Sequence, residues 1–339
     1  MKAAVLEEVG RIVVKEVPTP EPEEDEVLIR VHSCGICGTD LKLYKGEYTG
    51  KLPVILGHEL SGEVVKTGAR VKAFDIGDGV VVDPNESCGK CRWCKTGNPT
   101  FCSDLAAYGV LRDGGFAEYM VAGEKGMYKI PEELDYEEAT FTEPVSCALH
   151  CVDRAGIKPG ENVAIIGGGP MGQIILQLSK GAGASKLIMI TRSPWKLEFA
   201  KRHGATHIIN STKEDVPRAV KEITDGLGAD VIIEAVGTPE TLEEALALAK
   251  RGGRVMVFGF SPEGAKATFV PFEVLSKELT ILGSWVNPYT FSRAINLLAA
   301  KQIDVASLIT NRLGLDSILN GFDLLKRKPE GFMKAVVNP

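Results

Sequence analysis

The feature that most restricts the fold is a glycine loop set between two apolar stretches. Val163 to Ile166 reads as a continuous buried strand, Gly167-Gly168-Gly169-Pro170-Met171-Gly172 follows at once, and Gln173 to Ser179 continues as an apolar helix. Strand, glycine loop and helix in that order are the setting of a dinucleotide fingerprint, although the glycine spacing alone is weak and a plain strand-to-helix turn would also produce it. Gly167 is placed to make the tight turn and Gly169 to let the backbone approach a pyrophosphate. Gly172 would allow close helix-to-strand packing, with the phosphates at the helix N-terminus, where Pro170 and Met171 stand.

The rest of the middle of the chain has the same grammar. Apolar runs Leu187 to Ile190, Val231 to Glu234 and Arg254 to Phe258 alternate with amphipathic stretches such as Pro194 to Arg202 and Thr241 to Lys250. Strands without alternation are buried on both faces, and the intervening helices supply crossovers, which predicts a doubly wound parallel sheet. The first part reads differently. From Met1 to about Val152, short β segments (Ala3 to Leu6, Glu26 to His32, Leu60 to Lys66, Gly79 to Asp83, Gly115 to Val121) are separated by Gly, Pro and Asp, with Pro18 to Glu26 as a solvated loop. After Gly283 the pattern predicts a helix over Tyr289 to Lys301 and a short strand over Phe332 to Val337, at an edge of the first domain. The expected division is 1–152 completed by 285–339, with 153–284 as the dinucleotide-binding domain.

The second strand of such a domain usually ends in an acid that accepts from the adenosine ribose. Here Thr191 stands nineteen residues past Gly172, and Arg192-Ser193-Pro194-Trp195-Lys196 follows. Glu198 lies inside the next helix, poorly placed to substitute. Thr191, Arg192, Ser193 and Lys196 instead make a run suited to a phosphate, since a guanidinium can grip two of its oxygens. NADP(H) is therefore favoured over NAD(H). The duller reading makes Arg192 and Lys196 ordinary solvated charges.

Composition narrows the partners. With 44% hydrophobic and 25% charged residues, the chain has the balance of a globular protein. Lys and Arg number 39 against 45 Asp and Glu, for a net charge of -6, and no nucleic-acid partner is expected. No apolar stretch approaches the length of a membrane span, and Met1 to Val17 holds no hydrophobic signal core, so a cytoplasmic location is expected.

The eight cysteines supply the remaining chemistry. Cys88, Cys91 and Cys94 recur at every third position and Cys102 follows after a turn, a spacing that lets four thiolates close on one structural zinc ion. Two disulfides or an iron–sulfur centre are the alternatives, the first opposed by a reducing cytosol and by the strain of such short rings. A second set is dispersed. Cys37 sits in Cys34-Gly-Ile-Cys37-Gly-Thr39-Asp40, and Gly57-His58-Glu59 follows twenty-one residues on. A Cys, a His and a carboxylate can hold zinc and leave a position free for water or substrate. Taken singly, each has a plainer explanation as a core thiol or a hydrogen-bonded core histidine.

These motifs, with Thr142-Glu143-Pro144-Val145-Ser146 and Asn287-Pro288-Tyr289-Thr290-Phe291, occur in one order at coherent intervals. In that combination the chain resembles the zinc-dependent medium-chain dehydrogenases/reductases over essentially its whole length, and most of all the branch of sorbitol and other polyol, 2,3-butanediol and threonine dehydrogenases. The resemblance implies a GroES-like catalytic domain built from both chain ends around a Rossmann domain. It implies two zinc ions per chain, a small-molecule alcohol or polyol substrate, oxidation to the ketone, and a homo-dimer or homo-tetramer. By matched motif, Cys37 and His58 would hold the catalytic zinc with Glu59 as third ligand. Glu143 would lie beside the metal as a direct or exchangeable ligand, and Thr39 would take the substrate hydroxyl proton. One departure stands out: many relatives carry a His five residues after the ligand Cys, and this chain has Lys42. Tyr44, Phe116, Trp285 and Asn287 are the expected pocket wall. The rival readings are a zinc-free quinone reductase on the same fold, opposed by the presence of both Cys37 and His58, and a non-enzymatic dinucleotide-binding protein.

Overall fold

A computed structural model describes residues 1–339, which divide into two compact units, Met1–Ser146 with Asn287–Pro339 and Cys147–Val286. The first unit is β-rich. Its strands are β1 (Lys2–Glu8), β2 (Arg11–Glu16), β3 (Glu26–Gly35), β4 (Val54–Ile55), β5 (Glu59–Thr67), β6 (Gly79–Val82), β7 (Asn85–Glu86), β8 (Ala106–Ala107), β9 (Tyr119–Gly123) and β10 (Met127–Lys129). The second unit holds β11 (Val163–Ile166), β12 (Leu187–Thr191), β13 (His207–Asn210), β14 (Ala229–Glu234), β15 (Ala249–Val257) and β16 (Thr280–Gly283), and the chain then returns to the first unit for β17 (Ile309–Leu313) and β18 (Lys334–Val337).

In the first unit the main sheet runs β10-β6-β5-β3-β18-β17, with β9 also paired to β3, and a small sheet β2-β1-β4 lies apart from it. Its apolar core draws on both sheets, from Val5 and Leu6 to Ile29, Leu60, Val80 and Phe116, and on Phe322 and Val337 from the C-terminal segment. One expectation is corrected here. The strand near the C-terminus is not an edge: β18 lies between β3 and β17, and all four of its residues are buried. Lys334 gave it the look of a half-solvated strand, yet that lysine faces inward. The stretch Gly115 to Val121 also forms a strand only from Tyr119, because Gly114, Gly115 and Phe116 donate their backbone N–H groups to Ile55, Gly57 and Leu56 and so run against the segment before β5.

The second unit is a six-stranded parallel sheet in the order β13-β12-β11-β14-β15-β16. Helices Pro170–Gly181, Pro194–Arg202, Val216–Ile223 and Pro239–Leu248 join successive strands, each opening with Pro or with Val-Pro in its first turn, where a missing N–H costs nothing. Strand order reverses beside β11, whose four residues are all buried. The C-terminal end of β11 is therefore the switch point at which such sheets bind ligands. No helix of the chain is long and apolar enough to cross a membrane.

Candidate functional site

Cys37, His58 and Glu59 come together in the first unit, each offering a ligand atom within 4.8 Å of the others. Cys37 is the N-cap of helix Gly38–Lys45, in extended conformation at the end of β3. Asp40, three residues on, reaches back to accept from the Cys37 N–H at 2.7 Å, the reciprocal arm of a capping box, which makes the thiol's position part of the helix start. The same carboxylate, fully buried, accepts from Gly57 N at 3.4 Å and lies 3.3 Å from His58 Nδ1. One side chain thus fixes both ligand segments and orients the imidazole, leaving its other nitrogen for an ion. Gly57 takes φ +94°, and a Cβ there would stand 2.8 Å from both Cys34 Sγ and the Phe116 ring, so only glycine allows the turn into His58.

Two of the three side chains are buried. His58 is 7% exposed and Glu59 1%. Burial pushes the His58 pKa down, but Asp40 and Cys37 outweigh it and hold the ring well above its ordinary value. Glu59 forms an ion pair with Lys334 of β18, itself buried. Burial also favours the neutral lysine, and the charges of Glu59, Cys37 and Asp40 overcome it and raise the pKa. With Cys37 and Glu59 ionised and His58 neutral, as ligands to a metal are, and with the Asp40 carboxylate beside them, three negative charges stand against the one positive charge of Lys334. The two left over are what a divalent cation neutralises, and a thiolate, an imidazole and a carboxylate are a donor set that suits zinc. The residues therefore fit the metal.

Two further expected site residues are Thr39 and Glu143. Thr39, half-buried in the first turn of the helix, has its hydroxyl 3.8 Å from Cys37 Sγ. Glu143 is buried in the first turn of helix Thr142–Ala155, where its carbonyl accepts from Ser146 Oγ at 2.6 Å. It is not one of the three residues whose ligand atoms converge.

Cys88, Cys91, Cys94 and Cys102 form a second group, all reduced and half-exposed, with Sγ atoms within 4.8 Å of one another. Cys91 Sγ lies 3.5 Å from Cys94 and 3.9 Å from Cys102, and backbone N–H groups of Cys88 and Asp104 point at Cys102 Sγ at 3.4 Å each. Such amides favour the thiolate: those of Cys94 and Ser103 pull Cys91 down to about 6. Four thiols in a cage of N–H donors fit a closed zinc site.

In the second unit the glycine loop has a distinct reason at each position. Gly167 takes φ +115°, Gly169 is the N-cap of helix Pro170–Gly181 with open space where its Cβ would be, and a Cβ on Gly172 would lie 1.8 Å from the Gly167 carbonyl oxygen. A Cβ on Gly168 would stand 2.9 Å from Thr191 and 3.3 Å from Lys196, so the loop packs on the residues that follow β12. Gln173, fully buried, donates to the carbonyls of Gly168 and Lys196 at 3.2 Å each and ties the two segments together. Thr191 ends β12, Arg192 is exposed, Ser193 caps helix Pro194–Arg202, and Lys196 lies over the Trp195 ring at 5.3 Å. Glu198 points away to pair with Lys201 at 3.0 Å.

Sequence reasoning left Asp40, Gln173 and Lys334 without roles. Gln173 and Lys334 each carried a signal, a polar residue in an apolar run, and Asp40 stood at the third position of its helix, where an acid caps. Two of the expected wall residues are misplaced. Phe116 is fully buried and edge-on to Phe322 in the core, and Asn287, 1% exposed, is bonded to Asp83 and Asn85.

The chain matches known proteins over most of its length. Residues 23–132 match the alcohol dehydrogenase GroES-like domain and residues 170–300 the zinc-binding dehydrogenase family. The chain is 36% identical to the sorbitol dehydrogenase of Bacillus subtilis, over 100% of its own length and 97% of the relative's. It is 37% identical to the L-threonine 3-dehydrogenase of Pyrococcus horikoshii, over 93% and 92%. A candidate zinc-binding dehydrogenase from Sinorhizobium meliloti, solved bound to NADP, superimposes with a TM-score of 0.95 at 41% identity, covering 100% of this chain and 99% of that one.

Proposed function

The chain belongs to the zinc-binding dehydrogenases that carry an alcohol dehydrogenase GroES-like domain, and from that premise we propose that it oxidises a polyol or other secondary alcohol to the ketone, with NADP⁺ favoured over NAD⁺. The observation that carries the reading is the convergence of Cys37 with the buried His58 and Glu59, a donor set that suits a divalent ion. Its third donor is a carboxylate, and the resemblance makes Glu143 an exchangeable ligand. When bound, zinc supplies Lewis acidity that lowers the pKa of a substrate hydroxyl, and the nicotinamide supplies the hydride acceptor.

The chain's own residues do the rest. Cys37, His58 and Glu59 hold the ion, and Asp40 keeps the imidazole of His58 oriented toward it. Thr39, whose hydroxyl lies beside the Cys37 sulfur, would receive the substrate's hydroxyl proton while giving up its own to the cofactor ribose and solvent. The Cys88, Cys91, Cys94 and Cys102 group holds the second, structural zinc. Gly167, Gly169, Pro170, Met171 and Gly172 seat the pyrophosphate, and Thr191, Arg192, Ser193 and Lys196 receive the 2′-phosphate. The absence of any acid at the end of β12, together with the NADP-bound Sinorhizobium structure, supports that preference.

A second copy of the chain is the proposed partner. β16 is an edge strand with Ile281 42% exposed, and the preceding helix Pro271–Lys277 buries nothing, leaving Phe272 and Leu275 open. An edge strand pairs with itself across a two-fold axis, which would cover these side chains.

The test is initial rates with NADP⁺ and NAD⁺ in parallel across sorbitol, xylitol, arabitol, 2,3-butanediol, threonine and 2-propanol, with zinc content and light-scattering mass measured on the same sample. Turnover of a diol or polyol with about two zinc ions per chain is expected. Two zinc ions with no turnover would place the substrate outside this branch, and a strong preference for NAD⁺ would overturn the reading of Thr191 to Lys196.

A further inference from the structure

We propose that Lys334 is the positioning residue of the metal group: its ammonium, seated over Gly35, holds one oxygen of Glu59 and leaves the other for the ion. The inference rests on the metal reading given above and adds a residue that reading does not use.

The geometry begins with sheet register. Gly35 of β3 is paired with Glu59 of β5 on one side and with Val336 of β18 on the other. Lys334 lies two residues before Val336, on the same face of β18. For Glu59 and Lys334 to meet, their side chains must cross β3 above Gly35. A Cβ at position 35 would stand 2.2 Å from Glu59 Oε2, 3.1 Å from Lys334 Cε and 3.3 Å from Glu59 Cβ. Gly35 is in extended strand and needs no unusual φ. Its missing side chain is therefore explained by space: the ion pair fills the room a Cβ would take.

Stability is a poor reason to build such a pair. Burying an ammonium and a carboxylate costs about as much as their attraction returns, and two apolar side chains would hold the sheet at least as well. What an apolar pair could not do is act on the ligand group. Glu59 has Lys334 on its Oε2, while a carboxylate oxygen lies within 4.8 Å of the Cys37 and His58 ligand atoms. The ammonium fixes the rotamer of Glu59 and favours one-oxygen ligation. It also offsets the third negative charge around a divalent ion, whose hold on a neutral alcohol would otherwise weaken. Lys334 comes from the far end of the chain, so the group is assembled only once the C-terminal strand is in the sheet.

The experiment measures metal affinity by chelator competition, and the visible spectrum of the cobalt-substituted protein, for Lys334→Met, Lys334→Arg and Gly35→Ala, and for Lys334→Met on a Glu59→Gln background. A wild-type far-ultraviolet circular dichroism spectrum and a cooperative thermal transition report that each variant is folded. Expected are a loss of about 10- to 100-fold in affinity at the Cys37 group and shifted cobalt bands for Lys334→Met. Gly35→Ala should behave the same way, because it displaces the carboxylate. Lys334→Arg should stay near the wild type, and Lys334→Met should cause no further loss once Glu59 is Gln. Wild-type affinity and spectrum in a folded Lys334→Met protein would overturn the proposal, as would an equal loss on both backgrounds. If the unmodified protein binds metal at the four cysteines alone, the metal reading itself has failed, and the zinc count shows this separately.

Discussion

The two candidate metal groups of the first unit are built in opposite ways. Cys88, Cys91, Cys94 and Cys102 lie in one short stretch, half-exposed, all thiols, with their charge met by neighbouring backbone amides. Cys37, His58 and Glu59 are mixed in donor type, the last two buried, and they lie against Asp40 from one helix and Lys334 from the last strand. The first group needs little beyond its own loop. The second needs the whole sheet, and the difference suits a closed site that staples a lobe and an open one that must tune an ion.

That contrast predicts separable losses. Cys37→Ala should leave the fold and the four-cysteine metal in place while lowering kcat/KM by at least about 1,000-fold, since several kcal/mol of charge stabilisation depend on the ion. Zinc content falling from about two to about one per chain would accompany it. Activity near the wild type in that variant would break the division of roles.

Cys91→Ser attacks the other group and should act on stability instead. We expect a loss of about 3 kcal/mol, read as a melting temperature lower by roughly 5–10 °C, with kcat at low temperature little changed. Equal loss of kcat in this variant would mean the lobe shapes the reacting centre.

Arg192→Ala carries the contrast into the second unit, where another short local run makes a site. A lost charge-assisted contact of about 1.5–3 kcal/mol should raise KM for NADP⁺ by roughly 10- to 100-fold. KM for NAD⁺ should move far less, and equal changes for both cofactors would remove the guanidinium from the phosphate.

The smallest effect concerns a carboxylate that lacks what Glu59 has. Asp83, at the end of β6 near the foot of the four-cysteine lobe, has only amides for partners: Asn85 N at 2.9 Å and Asn287 Nδ2 at 3.2 Å. With no cation to offset it, burial pushes its pKa up to about 6. The folded protein then binds this proton more tightly than the unfolded chain, so stability contributed here is present below about pH 4 and is lost as pH rises through 6. Part of the residue remains open to solvent, which limits the effect to about 1–2 kcal/mol. Asp83→Asn should match the wild type near pH 4 and exceed it in chemical denaturation at pH 7. A constant difference across that range would assign the change to packing instead.

Much of the molecule was legible beforehand. The buried strands of the parallel sheet and the helix Pro194–Arg202 could be read because continuous apolar runs and helical spacing are local signals. Where a residue's environment comes from a distant segment, the same signals mislead. Phe116 reads as a pocket aromatic and is sealed in the core, β18 reads as an edge and lies inside, and β17 has too few apolar residues to stand out.

The sequence by itself determined the four-cysteine spacing, the glycine loop and the missing acid after β12, because each depends on residue chemistry and spacing along one stretch of chain. Only the tertiary structure decided that Asp40 bridges Cys37 and His58, and that Lys334 meets Glu59 above Gly35. The physical reason is charge. A buried charged group is tolerable only beside its counter-charge, and strand register across the sheet, which no local pattern records, decides which groups meet.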